Sequence, residues 1–186
     1  MIRKNPSGDL PVVHESAFVD PTAILCGKVI VEADVFIGPY AVIRADEVNE
    51  QDEMEPIVIG AGSNIQDGVV IHCKAGGGVT IGRESSIAHR SIVHGPCTVG
   101  NNVFIGFNSV LFNCTVGDGS VVRHNSVVEG CHVPPGFYIP STTNVHSDAE
   151  LANIQPVTGD ATSFSESVVA ANRSLVQGYN RIRNEF

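Results

Sequence analysis

The chain has 186 residues, with 11 basic and 20 acidic side chains and a formal net charge of −9 at pH 7. This charge disfavours partners that carry dense negative charge, so we expect neither nucleic acid nor a membrane as a partner. The counts of 27 Val and 16 Ile against 5 Leu exclude a helical bundle, because β-branched side chains fit strands better than helices.

The N-terminal residues 1–16 contain no long apolar run of the kind that forms a signal peptide. No segment reaches the roughly 18 apolar residues of a membrane span. The five cysteines are odd in number and lack CxxC spacing, which argues against a disulfide framework. We therefore expect a cytoplasmic protein, and the length suits a single domain.

A branched aliphatic residue or Leu recurs every six residues through most of the chain. The first residues of these units form three runs: Val13, Val19, Leu25, Val31, Ile37, Ile43; then Ile59, Ile65, Ile71; then Ile81, Ile87, Val93, Val99, Ile105, Leu111 and, after a one-residue slip, Val116, Val122, Val128. A six-residue period with branched residues inside is typical of a parallel β-helix. The chain resembles the left-handed hexapeptide-repeat proteins, in which three units form one triangular turn. Its 18 units predict an all-β left-handed parallel β-helix of about six turns.

Two segments interrupt the repeat, an acidic one at Glu47–Pro56 and a glycine-rich one at Lys74–Val79. The repeat is expected to end at His132–Gly136 and to be followed by an extended crossing at 137–147 and a helix. Ser163 and Glu166 form a capping-box pattern that predicts the start of this helix. Its packing stripe is predicted from helical spacing: Val168, Asn172, Leu175, Tyr179, Ile182. We divide the single domain into a β-helix at 1–140 and a crossing with C-terminal helix at 141–186.

The register of the repeat brings two histidines together. His72 and His94 are each the second residue of a unit, and these units are three apart, so they occupy the same face one turn apart. Neighbouring strands are about 4.8 Å apart, and the two side chains should both point outward. If the acidic interruption adds no full unit, Arg44 lies below His72 in the same column, and Asp46 is close enough to pair with Arg44.

His89 is the third residue of its unit and lies one face away, above Asp67. One protomer cannot readily bring it to His72 and His94, but a second protomer packed about a threefold axis could. Three imidazoles are the ligand set of a catalytic zinc site, with a fourth position open for water. Spacing alone leaves the alternative that these are solvated surface histidines. Cys73 points to the opposite side of its strand from His72 and is expected to pack in the core.

Three sequence elements together resemble the gamma-class carbonic anhydrases. They are Arg44-Ala45-Asp46, residues 64–72 (NIQDGVVIH) and residues 89–95 (HRSIVHG). The similarity extends through Pro134-Pro135-Gly136 and Tyr138-Ile139-Pro140 to the helix at 168–172, and it covers roughly residues 10–180.

The resemblance implies a homotrimer with one metal site at each subunit interface. The implied ligands are His72 and His94 from one subunit and His89 from its neighbour. The implied metal is Zn²⁺, and Fe²⁺ or Co²⁺ are also possible because imidazole suits several metals.

Further roles are carried over from the same resemblance. Gln66 would hydrogen-bond the metal-bound solvent, and Asn64 and Asn172 would surround the bound CO2 or bicarbonate. Arg44 and Asp46 would form a pair that bridges subunits beneath the site, and Glu47 would accept the first proton.

The implied activity is reversible hydration of CO2 to bicarbonate and a proton by a metal-bound hydroxide. This chain departs from the best-known archaeal members, because its loop at Lys74–Val79 is short and contains no acidic residue. Ala170 also replaces a tyrosine of the family. In its short loop the chain resembles a subgroup of the family that lacks the usual proton-shuttle loop. Glu84, just past the loop, is a candidate substitute.

Other classes of function remain open on the sequence. A trimeric metal-binding scaffold with little hydration activity would keep the same histidines. A hexapeptide acyltransferase would need one histidine as a general base and a coenzyme A groove between protomers. A thioesterase is a further alternative. Three histidines in register, with Gln66 beside them, favour the hydration reaction.

Overall fold

In the computed structural model, residues 1–183 are described, and the repeats fold into a parallel β-helix of about seven turns. Each turn contributes one short strand to each of three sheets, which form the three faces of a triangular prism. The first face contains β1 Ile2–Arg3, β4 Ile24–Gly27, β7 Val42–Ala45, β10 Val70–Cys73, β13 Ile92–Gly95, β16 Val110–Phe112, β19 Val127–Glu129 and β22 Asn144–Val145.

The other two faces follow the same order of turns. The second face contains β2 Val12–Val13, β5 Val29–Val31, β8 Ile57–Ile59, β11 Val79–Ile81, β14 Cys97–Val99, β17 Thr115–Val116 and β20 His132–Val133. The third face contains β3 Phe18–Val19, β6 Phe36–Ile37, β9 Asn64–Ile65, β12 Ser86–Ile87, β15 Phe104–Ile105, β18 Val121–Val122, β21 Phe137–Ile139 and β23 Gln155–Pro156. All neighbours pair in parallel except β23, which is antiparallel to β21.

The core is built from the first residue of each repeat unit. Ile43, Ile71, Val93 and Leu111 align in register on the first face, and each side chain is fully buried. Because parallel strands stack without offset here, each turn buries its branched residue against those above and below. A fully buried side chain of this size stabilises the fold by about 1.5–3 kcal/mol.

Close backbone approach fixes glycine at one corner of the prism. Gly82 and Gly100 lie above one another where the second face ends. A Cβ at Gly82 would lie 2.5 Å from the carbonyl carbon and oxygen of Gly100. The second position of the repeat is therefore glycine here because no side chain fits.

Both predicted interruptions leave the prism as loops. The acidic segment Glu47–Pro56 lies between β7 and β8, and Lys74–Val79 joins β10 to β11. Because β10 pairs directly with β7, the acidic segment adds no strand to the first face and the register is kept across it. The expected position of Arg44 below His72 depends on this register.

The segment 137–147, predicted as a crossing, instead forms a further turn of the β-helix. Strands β21 and β22 pair in parallel with β18 and β19. Val133, Ile139 and Val145 continue the six-residue spacing and are buried, so the hydrophobic register runs on through the polar stretch between them. The observed number of turns is therefore about seven rather than six. A 3₁₀ helix at Asp148–Asn153 packs against β20 and β22.

Helix α1 spans Gly159–Arg183 and begins one turn earlier than the capping-box pattern predicted. Ser163 lies inside the helix, and the hydroxyl of Thr158 accepts a hydrogen bond from the Ala161 N–H at 3.3 Å at the helix start. The side chains of lowest exposure also differ from the predicted stripe, because Leu175, Tyr179 and Ile182 are exposed. Those facing the prism are Ala161, Ser165, Val168, Asn172 and Val176. Residues 184–186 of the predicted 141–186 region lie outside the described residues.

The helix packs along the third face. Val168 packs against Ala88, Phe104 and Val121. The ring of Tyr179 stacks on Phe18, with centroids 4.3 Å apart. Within residues 1–183, no helix combines the length and the apolar character needed to cross a membrane.

Candidate functional site

Three polar side chains form a column on the outer side of the first face. Strands β7, β10 and β13 align Arg44 with His72 and His72 with His94, as the repeat register predicted. The two imidazole rings are 5.3 Å apart between centroids, with an angle of 74° between their planes. Both histidines are partly buried, so two nitrogen donors are close together at the surface of the prism.

Two carboxylates border His72. Its Nε2 atom is 3.2 Å from Oδ1 of Asp46 and 3.5 Å from Oε1 of Glu47. The other carboxylate oxygen of Asp46 accepts a hydrogen bond from Arg44 at 2.5 Å. Asp46 therefore links Arg44 to His72, and this link forms because strand β7 ends immediately before Asp46. For a metal to bind at Nε2, it would have to replace Asp46 as the partner of this nitrogen.

His94 has a backbone partner on the other side of its ring. Its Nδ1 atom lies 3.1 Å from the carbonyl oxygen of Gly95, a contact that leaves Nε2 free to act as a ligand. Gly95 is required here, because a Cβ would lie 2.4 Å from the carbonyl oxygen of Gly78. The ring of Phe112 packs on His94 with centroids 5.3 Å apart. Sequence analysis did not single out Phe112, although the register places it directly above His94.

Cys73 packs inside the prism, as predicted, and is fully buried. Burial raises the pKa of its thiol to about 11, with further contributions from the negative charges of Glu47 and Asp46. A thiol in this environment stays protonated at neutral pH, whereas metal ligation requires the thiolate. Cys73 is therefore a core residue and not a ligand.

A second group of polar residues lies on the third face. The Asn64 side chain donates a hydrogen bond to the Ser86 hydroxyl at 2.7 Å. Nε2 of Gln66 donates one to Oδ1 of Asn64 at 2.9 Å. All three side chains are buried, so this chain of hydrogen bonds holds the Gln66 amide in one orientation. Ser86 belongs to the arrangement but was not identified from the sequence.

His89 follows β12 on this same face and lies above Asp67, as predicted. Its Nδ1 atom is 3.6 Å from a carboxylate oxygen of Asp67, and its ring is 5.3 Å from the ring of Phe107. The side chain is 46% exposed, in a shallow pocket that also contains Tyr40. His89 is thus available to a neighbouring molecule.

Asn172 is buried on helix α1, which packs on the third face. Its Nδ2 atom donates to the carbonyl oxygen of Val168 at 2.9 Å. The amide group therefore keeps its oxygen available as an acceptor.

The predicted site residues thus form two groups on two faces of one chain. We call the first the paired-histidine group (Arg44, Asp46, Glu47, His72, His94) and the second the His89 group (Asn64, Gln66, His89, Asn172). Within residues 1–183, no set of three or more His, Cys, Asp or Glu side chains is arranged to hold a metal ion. The donors present, two imidazoles with a third on a different face, suit a metal only if a second copy of the chain completes the set.

Comparison with known proteins gives one matching family model and several similar sequences. Residues 78–113 match the family described as bacterial transferase hexapeptide (six repeats). The chain is 36% identical over 196 residues to a carbonic anhydrase of Methanosarcina thermophila, and the match covers 94% of this chain and 77% of that one.

Two further relatives carry other descriptions. The chain is 39% identical over 180 residues to the carboxysome assembly protein CcmM of Nostoc sp., covering 90% of this chain but only 31% of that protein. It is 41% identical over 106 residues to the carnitine operon protein CaiE of Escherichia coli, covering 57% of this chain and 50% of that one. The chain therefore spans about a third of CcmM and half of CaiE.

Solved structures match the fold along nearly the whole chain. A hexapeptide transferase family protein from Anaplasma phagocytophilum superposes with a TM-score of 0.79 at 26% identity, covering 96% of this chain and 98% of that one. A Bacillus cereus protein assigned to the acetyltransferases superposes with a TM-score of 0.82 at 21% identity, covering 98% of both chains. These likenesses establish the left-handed parallel β-helix.

Proposed function

Since the chain belongs to the gamma-class carbonic anhydrase family, we propose that it catalyses the reversible hydration of CO2 to bicarbonate and a proton. The observation that carries this proposal is the outward pair of His72 and His94, aligned on adjacent strands with their rings 5.3 Å apart. A hexapeptide acyltransferase needs one such histidine, so a registered pair with carboxylates beside it favours metal binding.

The proposed assembly is a homotrimer in which the paired-histidine group of one subunit faces the His89 group of the next. This arrangement joins His72 and His94 to a neighbour's His89 and gives one site for Zn²⁺, Fe²⁺ or Co²⁺ at each interface. The half-exposed His89 side chain, on a different face from the pair, supports it. A divalent ion held by three neutral imidazoles supplies a Lewis acid that activates water near neutral pH, a chemistry known from carbonic anhydrases.

The buried amides would orient the reactants. Because Gln66 donates through Nε2 to Asn64, its Oε1 atom is the free acceptor and can receive a hydrogen bond from the attacking water. Asn172 likewise has a free amide oxygen, since its Nδ2 donates to Val168. CO2 is small and carries partial charges on its carbon and oxygens, so these fixed dipoles would hold it near the reacting oxygen.

Glu47 is the proposed first proton acceptor. Its carboxylate lies 3.5 Å from Nε2 of His72, and its side chain is 51% exposed, so it reaches both the site and bulk water. Glu84, the other candidate, instead pairs with Arg173 of helix α1 at 2.7 Å. The loop at Lys74–Val79 offers no acid, which leaves Glu47 as the carboxylate best placed for the transfer.

Replacing Asp46 with asparagine is expected to weaken metal binding by about 10- to 100-fold, because a carboxylate beside His72 attracts a divalent ion bound to the paired histidines. The substitution keeps the shape but removes the negative charge between Arg44 and His72. Competition with a chromophoric chelator measures the affinity. Asp34→Asn, which removes an exposed carboxylate at the corner between the second and third faces, is the comparison. Equal effects in the two variants would contradict the role of Asp46.

A second candidate function is a trimeric metal-binding scaffold without useful hydration activity. The match to a carboxysome assembly protein over 90% of this chain favours it. Such a protein would keep the metal site, so metal content alone does not separate the two functions.

Stopped-flow measurement of CO2 hydration tests the proposed function. The protein should be loaded with Zn²⁺, or with Fe²⁺ under anaerobic conditions, and compared with the metal-free protein. We expect hydration that depends on the metal. Stoichiometric metal without hydration would favour the scaffold, and turnover of acetyl coenzyme A would favour a transferase or thioesterase.

A further inference from the structure

Three buried cysteines lie one above another on the second face. Cys97, Cys114 and Cys131 follow one another at intervals of 17 residues, one in each of three successive turns. Each is between 5% and 6% exposed, and all point toward the core. The reactions proposed above use none of them.

Two of these thiols are in contact. The Sγ atoms of Cys97 and Cys114 are 3.7 Å apart. The backbones are at the spacing of adjacent parallel strands, about 4.8 Å. A disulfide requires Cα atoms roughly 4.4–6.8 Å apart, with a sulfur–sulfur bond of about 2.05 Å. The two sulfurs can therefore reach bonding distance through side-chain rotation and a small approach of the two strands, without a change of register.

The two thiols differ in acidity. The hydrogen bond between the two thiols lowers the pKa of Cys97, and the same hydrogen bond, together with burial, raises the pKa of Cys114. Burial also raises the pKa of Cys131, and the nearby Asp148 carboxylate adds to this effect. Since the thiolate is the reactive form, Cys97 is the nucleophile of the group and Cys114 its partner.

A small oxidant can reach the pair. The three cysteines border an open cleft of about 530 Å³ on the second face, between the 47–56 loop and the 3₁₀ helix. Thr98, Thr115 and His132 also line this cleft, and its volume is much larger than a peroxide molecule.

We propose that Cys97 and Cys114 are an oxidative modification site that closes to an intrachain disulfide with hydrogen peroxide as the oxidant. The Cys97 sulfur attacks one peroxide oxygen, the O–O bond breaks, and a sulfenic acid and one water are formed. The Cys114 sulfur then attacks the Cys97 sulfur, the S–O bond breaks, and a second water leaves. Two thiols are oxidised by two electrons in total, and one peroxide is reduced to two waters.

The disulfide also affects His94, a consequence that rests on the proposed function. Cys97 follows His94 by three residues, and Phe112, whose ring packs on His94, precedes Cys114 by two. The N–H of Asn113 donates to the carbonyl oxygen of His94 at 3.2 Å. Drawing the two sulfurs together therefore moves both segments that hold the His94 ring, and we expect oxidation to lower metal occupancy reversibly.

Peptide mapping of peroxide-treated protein tests the modification. We expect a Cys97–Cys114 cross-linked peptide, with a mass lower by about 2 Da and reversal by dithiothreitol. Cys97→Ser and Cys114→Ser should lose this product, and Cys131→Ser, one turn further along the same column, should keep it. A product that joins Cys114 to Cys131, or mass gains on separate cysteines with no cross-link, would overturn the proposal.

Metal analysis of the same samples tests the consequence for His94. Zn²⁺ content should fall at least about twofold in oxidised wild type and in Cys131→Ser, should not change in Cys97→Ser, and should return after reduction. A mapped disulfide with unchanged metal content would overturn the effect on His94. If reduced wild type held no metal, the proposed function would fail, while the peptide map would still decide whether the disulfide forms.

Discussion

His89→Ala is expected to lose bound metal almost completely while the protein stays folded and trimeric. The variant leaves two imidazoles at each site. Loss of a residue that hydrogen-bonds a ligand usually weakens metal binding by about 10- to 100-fold, so loss of a ligand itself should weaken Zn²⁺ binding by more than about 100-fold. His89 lies on the third face and is 46% exposed, so its removal disturbs no core contact. Elemental analysis should give near zero metal per subunit, against about one in the wild type.

His124→Ala is the matched control for this result. His124 lies further along the same corner, where its ring stacks on Phe107 with centroids 4.5 Å apart. Burial lowers the pKa of His124, and the positive charge of Arg123 adds to this, so it is a neutral histidine in a comparable place. It should keep its metal. Near-stoichiometric metal in His89→Ala would show that the third ligand is a different residue.

Ile105→Ala is expected to destabilise the fold by about 2–5 kcal/mol. Ile105 is fully buried between Ile87 and Val122 on the third face, and the removed atoms leave a cavity that rigid neighbouring turns cannot fill. Urea denaturation measures the change in the free energy of unfolding. Both proteins must be compared at one subunit concentration, because formation of the proposed trimer would contribute to the measured stability.

Ile30→Ala is the control for this substitution. Ile30 is the outward residue of β5 and is 38% exposed, so the same change there should cost less than about 1 kcal/mol. Equal losses at the two positions would contradict the assignment of inward and outward residues along the repeat.

The six-residue register predicted most of the fold and half of the candidate site. It predicted His72 below His94, Arg44 below His72 and Cys73 inside, because on a β-helix the side-chain direction follows directly from the position in the repeat. The register also extends through the last turn, since Ile139 and Val145 keep the six-residue spacing. The proline and polar residues at 140–143 interrupt the pattern between them, and for this reason the sequence predicts a crossing at 137–147.

Other features depend on packing that no repeat encodes. The helix begins after Thr158 because its buried stripe starts at Ala161. This stripe is set by contact with the third face, which the helix sequence alone does not specify. The ring contact of Phe112 with His94 also depends on side-chain rotamers, which the period leaves open. The contact between the Cys97 and Cys114 sulfurs likewise depends on the rotamers of the two side chains.

Subunit mixing tests the central claim, a metal site for CO2 hydration shared between two subunits. His72→Ala and His89→Ala proteins are each expected to be inactive. Mixed trimers, made by unfolding and refolding the two together, should contain about one interface in three that combines intact His72 and His94 with an intact His89.

Stopped-flow CO2 hydration by metal-loaded mixed trimers is the decisive measurement. We predict that the mixture recovers activity, up to about a third of the wild-type rate per mixed trimer. Native mass spectrometry should confirm that mixed trimers are present. An inactive mixture that contains mixed trimers, beside an active wild type, would contradict a site shared across the subunit interface.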